Sequence, residues 1–154
     1  MSKLGEILSL AAHRVRRAEQ LLATATDELK SAASDEERAR DVLSKHQSMA
    51  ALREAEIYAE LIGSVVSQDK LEGIRAFLIE QRRTEARLTK LVADAAEKTE
   101  SAAKEVEDAR SALREMTVIL EKYTAAVDEV LHSDTTEAAY REEQELEDFS
   151  GARR

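Results

Sequence analysis

Apolar side chains recur at alternating steps of four and three residues along most of the chain, and this spacing limits the possible folds more than any other feature. Such spacing places one apolar stripe on one face of a helix and is typical of a coiled coil. In the first half of the chain only Glu36 and His46 interrupt it. The members of this stripe are Leu4, Leu8, Ala11, Val15, Ala18, Leu22, Ala25, Leu29, Ala32, Glu36, Ala39, Leu43, His46 and Ala50. The chain also has no proline, which permits long unbroken helices.

A second stripe follows in the other half of the chain and ends near Val130 and Leu131. Its members are Leu71, Ile74, Leu78, Gln81, Glu85, Leu88, Val92, Ala95, Thr99, Ala102, Val106, Ala109, Leu113, Met116, Leu120, Tyr123, Val127 and Val130. Beyond Ala50 the first stripe continues only after a shift of one residue, through Ala51, Ala55, Tyr58, Ile62 and Val65. We interpret this shift as a stutter in the heptad pattern.

The two stripes predict an all-α fold in which two long helices form an antiparallel coiled-coil hairpin with a longer second helix. Helix one is expected over about 3–65, the turn over about 66–69, and helix two over about 70–133. A C-terminal helical extension is expected over about 134–150, where Asp134 and Glu137 have the spacing of a capping box. Asp69 is the expected N-cap of helix two, with Glu72 as its capping-box partner.

The position of the turn can be checked against the stripes. A chain that folds back at residues 67 and 68 places Leu4 near Leu131, at the end of the second stripe. The same register places Glu36 opposite Thr99, so that two polar breaks face each other. One continuous helix in a parallel dimer satisfies the heptads equally well, but it does not explain this alignment, which favours the hairpin.

Charge and composition exclude several classes of protein. The 23 Lys and Arg residues face 32 Asp and Glu residues, a net charge of −9, which disfavours binding to nucleic acid. No apolar run approaches the ~20 residues of a membrane span, and the first residues lack the pattern of a signal peptide. The chain is therefore expected to be soluble and cytoplasmic. It has no cysteine and hence no disulfide or thiolate chemistry.

Enzymatic activity is not expected, because a two-helix coiled coil has no concave interior in which catalytic groups converge. We therefore expect no catalytic residue, no bound cofactor and no metal site. The three histidines, His13, His46 and His132, are far apart in sequence. We interpret His46 as a polar residue of the seam.

Two basic stretches interrupt the acidic chain. One is His13 to Arg17, and the other contains Arg75, Arg82, Arg83, Arg87 and Lys90. Each is either an ordinary solvated face or a surface for an acidic protein partner. Phe77 should be rotated away from the seam that contains Ile74 and Leu78, either packing on helix one or forming an exposed patch.

The C-terminal segment after Ser133 carries three basic and seven acidic residues. It has no facing stripe in the first helix, and its apolar edge is weak. We expect it to be either a frayed terminus or a helical extension that becomes ordered in the cavity of a partner.

Two segments resemble the FliJ/YscO (SctO) family, the small stalk proteins of flagellar and injectisome type III export systems. The more specific segment runs from Arg141 to Ser150, with Gln144 three residues after the arginine, then Leu146, two acidic residues and Phe149, followed by Arg153 and Arg154. The softer match is Ile74-Arg75-Ala76-Phe77-Leu78, which resembles the segment that opens helix two in the flagellar branch.

The resemblance implies a non-catalytic stalk component that binds a hexameric export ATPase ring and links it to the export gate and to export chaperones. It implies a protein that is monomeric in isolation and peripherally associated with the inner-membrane secretion apparatus, without membrane insertion. The residues expected to bind the ATPase are Arg14, Arg16, Arg17, Arg141, Gln144, Leu146 and Phe149. The residues expected to bind the export gate are Ile74, Phe77, Leu78 and Gln81.

Two other functions fit parts of the pattern. One is a generic scaffold coiled coil that forms a homodimer. The other is a hairpin transcription factor that carries Asp69 and Glu72 into a polymerase channel to hold magnesium, although such factors have a second globular domain that this chain lacks.

Overall fold

The structure of the chain, a computed structural model, describes the backbone of residues 3–152 and the side chains of residues 3–151. It contains two α-helices, α1 (Lys3–Leu61) and α2 (Gln68–Ala152). The described residues include no β-strand. The expected all-α helical hairpin, with its longer second helix, is confirmed.

The length of the helices follows from their composition. Alanine, leucine, glutamate, lysine and arginine, which all have high helix propensity, make up most of both helices. Neighbouring turns are joined by ion pairs such as Arg40 with Glu36 at 2.6 Å and Lys45 with Asp41 at 2.9 Å. Each pair on such an exposed face stabilises the helix by only about 0.3 to 0.5 kcal/mol, so helix propensity contributes more than any single ion pair.

Helix α1 ends at Leu61, four residues before the expected end. The cause is Gly63, whose φ of +79° lies in the left-handed region that side-chain-bearing residues rarely adopt. The Ser64 hydroxyl donates a hydrogen bond to the carbonyl of Glu60 and so satisfies one acceptor of the last turn. Ile62 and Val65, which were expected to continue the stripe of helix one, therefore lie in the turn.

Helix α2 begins two residues earlier than expected, and Ser67 is its N-cap in place of Asp69. The Ser67 hydroxyl oxygen accepts a hydrogen bond of 3.2 Å from the backbone N–H of Lys70, three residues on. The Ser67 carbonyl accepts the first helical bond, from Leu71, at 3.1 Å. These are the two bonds that define an N-cap, so the prediction that paired Asp69 with Glu72 was wrong.

No new helix begins at Asp134, because α2 is continuous from Gln68 to Ala152. The hydroxyls of Thr135 and Thr136 donate to the carbonyls of Leu131 and His132, each at 2.8 Å. Hydroxyls that bond back to the preceding turn are typical of threonine inside a helix. The expected extension is therefore the last part of α2 itself.

The chain divides into two compact units. The turn unit is Thr24–Glu107, and the terminal unit combines the residues up to Ala23 with those from Asp108 onward. Each unit contains one segment of α1 and one of α2.

Contacts in the turn unit show that its two helices run antiparallel. The side chain of Gln47 donates to Glu85 Oε1 at 3.1 Å, and Glu36 is hydrogen-bonded to the side chain of Thr99. Partners of lower number on α1 thus face partners of higher number on α2. The Glu36–Thr99 pair confirms the register that was inferred from the polar breaks of the two stripes.

The seam of the turn unit is narrow. Its buried side chains are Ala25, Ile57, Ala102 and Val106, and most other members of the two stripes are half-buried. Small residues let the helix backbones approach closely, but each buries little apolar area. The hairpin is therefore held together by many small contributions along its length.

The stutter occurs where it was expected, but the predicted phase after it was wrong. After Ala50 the residues turned toward α2 are Glu54, Ile57 and Leu61, whereas Ala51, Ala55 and Tyr58 are exposed. Ile57 is only 6% exposed, so burial of this large side chain accounts for the choice of phase. Glu54 is half-buried, as a long side chain can be when its stem covers apolar surface.

The terminal unit has a similar seam that ends before the chain does. Ala11 and Ala18 are buried on α1, and the stripe of α2 is half-buried from Ala109 to Leu120. The last half-buried residue of α2 is Val127, and every described side chain after it is exposed. The seam therefore ends at Val127, slightly before the expected end near Val130 and Leu131, which are both exposed.

The Glu36–Thr99 pair affects the ionisation of Glu36. The hydrogen bond from the Thr99 side chain lowers the pKa of the Glu36 carboxyl below its usual range, and the hydrogen bond and charge of Arg40 act in the same direction. A carboxyl whose pKa is lower in the folded state stabilises the fold at a pH above its unfolded pKa. That stabilisation is lost as the pH falls through the folded-state pKa.

Thr99→Val should raise the pKa of Glu36 toward its ordinary value, because the main hydrogen bond to the carboxylate is removed. Carbon-detected NMR titration of the Glu36 carboxyl measures this directly. The Thr99 hydroxyl also donates to the backbone carbonyl of Ala95 at 3.0 Å, so its proton is shared between two acceptors. The matched control is Thr89→Val, since the Thr89 hydroxyl is exposed and makes the same kind of bond, to the backbone carbonyl of Glu85 at 2.8 Å. An unchanged Glu36 titration in Thr99→Val would contradict the register that pairs these two residues.

Candidate partner-binding surfaces

The described part of the chain offers surfaces and no enclosed site. It contains no group of three His, Cys, Asp or Glu side chains that could hold a metal ion. It also contains no buried polar or charged residue. The cavities are open grooves, such as the one in the turn unit that is lined by Asp35, Leu91 and Asp94 among others. The surfaces open to another molecule are the faces of the two helices.

The end of α2 is the most exposed part of the molecule. We define the tail as residues 131–151, in which every side chain is exposed. Its large apolar side chains are Leu131, Tyr140, Leu146 and Phe149, each between 59% and 68% exposed. Apolar side chains of this size on an exposed helix mark a surface that can be covered by another molecule.

Four of the residues expected to bind the ATPase lie on this tail. Arg141 and Gln144 are three residues apart and so share one face, and Leu146 and Phe149 share another. The amide of Gln144 donates to the Tyr140 hydroxyl at 3.3 Å, a bond within the helix that leaves the apolar pair exposed. Arg153 and Arg154 of the family pattern lie outside the described residues.

The other three expected residues are arginines on α1, and the structure does not place them on one face. Arg14 and Arg17 are three residues apart on the same side of the helix, whereas Arg16 lies between them in sequence and projects from a different side. All three are exposed, and no ion pair joins any of them to another described residue. Arg14 and Arg17 therefore form a smaller patch than the sequence indicated.

The second basic stretch lies on an exposed part of α2 in the turn unit. Only Arg83 has an ion pair with another described residue, Glu80, at 4.0 Å, which is at the limit for such a contact. The other cations, Arg75, Arg82, Arg87 and Lys90, are exposed. The stretch is thus a largely unneutralised face, which fits both a solvated face and a surface for an acidic partner.

The four residues expected to bind the export gate are only partly accessible. Ile74, Phe77, Leu78 and Gln81 are all half-buried. Of the two alternatives left open for Phe77, its half-burial favours packing on helix one over an exposed patch. Packing in the hairpin therefore takes up part of each side chain, while Leu71 and Ile79 nearby are 50% and 44% exposed.

A polar layer crosses the seam at His46 and Gln81. The Nε2 of His46 lies 3.4 Å from the backbone carbonyl oxygen of Gln81, to which a protonated Nε2 donates. The Gln81 Oε1 is buried and has no hydrogen-bond partner among the described residues. His46 is half-buried, which confirms its interpretation as a polar residue of the seam.

The sequence pattern missed an exposed apolar surface in the turn unit. Val42, Met49 and Leu52 lie on α1 in the turn unit and are 51%, 72% and 65% exposed. They fall outside the series of four and three, but their spacing of seven and three residues places them on one face of α1, and this spacing is the signal by which they could have been found. Scattered exposed apolar residues are common on soluble proteins.

Phe77→Ala should lower the free energy of unfolding by about 1 to 2 kcal/mol, because a half-buried aromatic side chain is removed from the seam. Ile79→Ala is the matched control, since it shortens an exposed side chain two residues away and should change stability by less than about 0.5 kcal/mol. Urea denaturation followed by circular dichroism measures both. Equal stability of the two variants would show that Phe77 does not pack in the seam.

The chain has no described helix that is both long and apolar enough to span a lipid bilayer. A family model described as "Type III secretion protein YscO" matches residues 4–152. The match includes both helices and the turn between them. A search of curated proteins gave no significant match, and a search of solved structures likewise gave none.

Proposed function

Because the chain belongs to the YscO family of type III secretion proteins, we propose that it is a non-catalytic stalk component of a type III export apparatus, in an injectisome or a flagellum. In this role it binds the hexameric export ATPase ring and links the ring to the export gate and to export chaperones. It acts in the cytoplasm, at the inner-membrane secretion apparatus, without entering the membrane.

The observation that carries this proposal is the exposed tail. A single helix of about this length is only marginally stable in water, because most helical stability in proteins comes from packing. The tail nevertheless ends in the segment that matches the family pattern, with Leu146 and Phe149 exposed. A helix that gains stability when it is covered fits a protein whose working state is a complex.

The ATPase-binding surface that we propose comprises the tail and the start of α1. The tail supplies Arg141, Gln144, Leu146 and Phe149, and α1 supplies Arg14 and Arg17 on one side and Arg16 on another. All of these residues belong to the terminal unit. Mixed charge beside a small apolar pair favours an interface that is specific without being permanent.

The gate-binding surface is proposed on the turn unit, around Ile74, Phe77, Leu78 and Gln81. Their partial burial leaves their outer edges for contact and adds Leu71 and Ile79 as accessible neighbours. The basic stretch that includes Arg82 and Arg87 lies on the same part of α2 and would favour an acidic partner. Bound at both units, the chain would connect two components of the apparatus without itself performing chemistry.

The purified chain should stimulate ATP hydrolysis by its cognate export ATPase, and removal of residues 134–154 should abolish the stimulation. Leu146→Ala/Phe149→Ala should weaken ring binding by about tenfold or more, because two central apolar contacts are lost. Hydrolysis rates measured at increasing concentrations of the chain give both quantities.

A matched control is Ile62→Ala/Val65→Ala, which removes two apolar side chains that are 82% and 105% exposed in the turn. It should stimulate the ATPase as the unaltered chain does. If the unaltered chain neither binds nor stimulates the ATPase, the proposed function is wrong, and a scaffold coiled coil becomes the better interpretation. If both double variants behave alike, the tail is not the binding surface.

A further inference from the structure

Helix α1 has a second stripe in the terminal unit, and this stripe lies next to the seam stripe on the helix surface. Its members, spaced by four, three, four, three and four residues, are Lys3, Ile7, Leu10, Arg14, Arg17 and Leu21. The three apolar members are 42%, 51% and 57% exposed in chain order. We call this face the α1 side stripe. It ends at Leu21, because the next positions with the same spacing are Thr24 and Glu28.

The tail has a stripe with the same spacing. Its members are Leu131, Thr135, Ala138, Glu142, Glu145 and Phe149, and all are exposed. We call this face the tail stripe. Residues spaced by four and three lie on one face of a helix, so both stripes are straight faces of equal length.

When the two stripes are laid parallel, four of their six facing positions are complementary, whereas Lys3 faces Leu131 and Ile7 faces Thr135 without a match. Arg14 then faces Glu142, and Arg17 faces Glu145. Apolar residues meet at the far end, where Leu21 faces Phe149, and at the position of Leu10 and Ala138. Both stripes thus carry two charges of one sign in the middle and an apolar residue on either side, with opposite signs on the two stripes.

The charged members in the middle of both stripes form no ion pair inside the described part of the chain. This holds for Arg14 and Arg17 and equally for Glu142 and Glu145. Other cations of the chain, such as Arg38 and Arg40, are paired within their own helix. Pairing of the stripes would therefore form ion pairs without breaking existing ones.

The parallel orientation selects a second copy as the occupant. The tail continues beyond the seam, away from the start of α1, so it cannot lie parallel to α1 of its own chain. In a twofold pair of chains, the tail of each copy runs beside the first residues of α1 of the other copy, in the same direction. Such a pair repeats every contact twice, as an isologous interface does.

We infer that the tail stripe docks on the α1 side stripe of a second copy of this chain, forming a reversible twofold dimer through terminal units alone. The dimer covers Leu10, Leu21 and Phe149 and neutralises four arginines with four glutamates. Its charge pairs lie between exposed side chains of two helices and stay accessible to solvent, so the dimer is weak and sensitive to salt. The chain is then a monomer when dilute and a dimer when concentrated.

This inference does not rest on the proposed function, and the test uses the purified full chain alone. Sedimentation velocity from low micromolar to several hundred micromolar concentration should show the mean mass rising toward that of a dimer. Arg14→Glu/Arg17→Glu should weaken dimerisation by about tenfold or more, and so should Glu142→Arg/Glu145→Arg, because like charges then face each other. High salt should weaken the unaltered dimer.

The decisive result comes from mixing the two double variants and from combining their substitutions in one chain. An equimolar mixture of the two double variants should form a heterodimer, because each stripe then faces the opposite charge. The quadruple variant with both exchanges should form homodimers again. Arg16→Glu/Glu143→Arg is the matched control; it reverses charges that lie off both stripes and should leave dimerisation unchanged.

Circular dichroism establishes that each variant remains helical, so that loss of dimer is not loss of fold. The inference is overturned if the unaltered chain remains a monomer at every concentration. It is also overturned if charge reversal on the two stripes has no more effect than the matched control, or if the mixture and the quadruple variant fail to dimerise. Each of these outcomes leaves stimulation of the ATPase as a separate question.

Discussion

The structure depends on a seam between two helices that is built mainly from small side chains. Most of the buried residues are alanines, and Ile57 and Val106 are the larger exceptions. Alanine combines the highest helix propensity with the least buried area, so the same residue favours long helices and leaves them weakly attached to each other. The fold is therefore secured by repetition along two long helices, and its accessible faces are available for other molecules.

The repetition made much of the fold predictable. From Leu8 to Ala50 every expected seam position of α1 is buried or half-buried, because one phase of the pattern has no competitor there. After Ala50 two phases compete, and the sequence pattern favoured the one with more apolar residues, through Tyr58 and Ile62. The chain adopts the other phase, because burial of the single large side chain of Ile57 outweighs the half-burial of Glu54. A count of apolar positions takes no account of the size of each side chain or of how deeply it is buried.

The turn and the surfaces were less predictable, for a different physical reason. Ser67 and Asp69 are both good N-cap residues, and only the backbone geometry after Gly63 decides which of them receives the N–H of the first turn. Similarly, Arg14, Arg16 and Arg17 form one cluster in the sequence but not on the helix, where neighbouring residues project in different directions. Composition locates a basic segment. The direction in which each residue projects from the helix determines which of the charges lie on one face.

A weak seam that ends before its second helix does has a consequence for function. The tail gains little from the hairpin, since all of its described side chains are exposed, so a partner that bound it would contribute most of the packing around it. Affinity is lowered by the free energy needed to order it. A surface of this kind exchanges partners readily, because each partner replaces the contacts that the previous one made. Such exchange suits the stalk function proposed above, in which the chain joins a ring and leaves it, and it would also suit the inferred docking of a second copy on the tail.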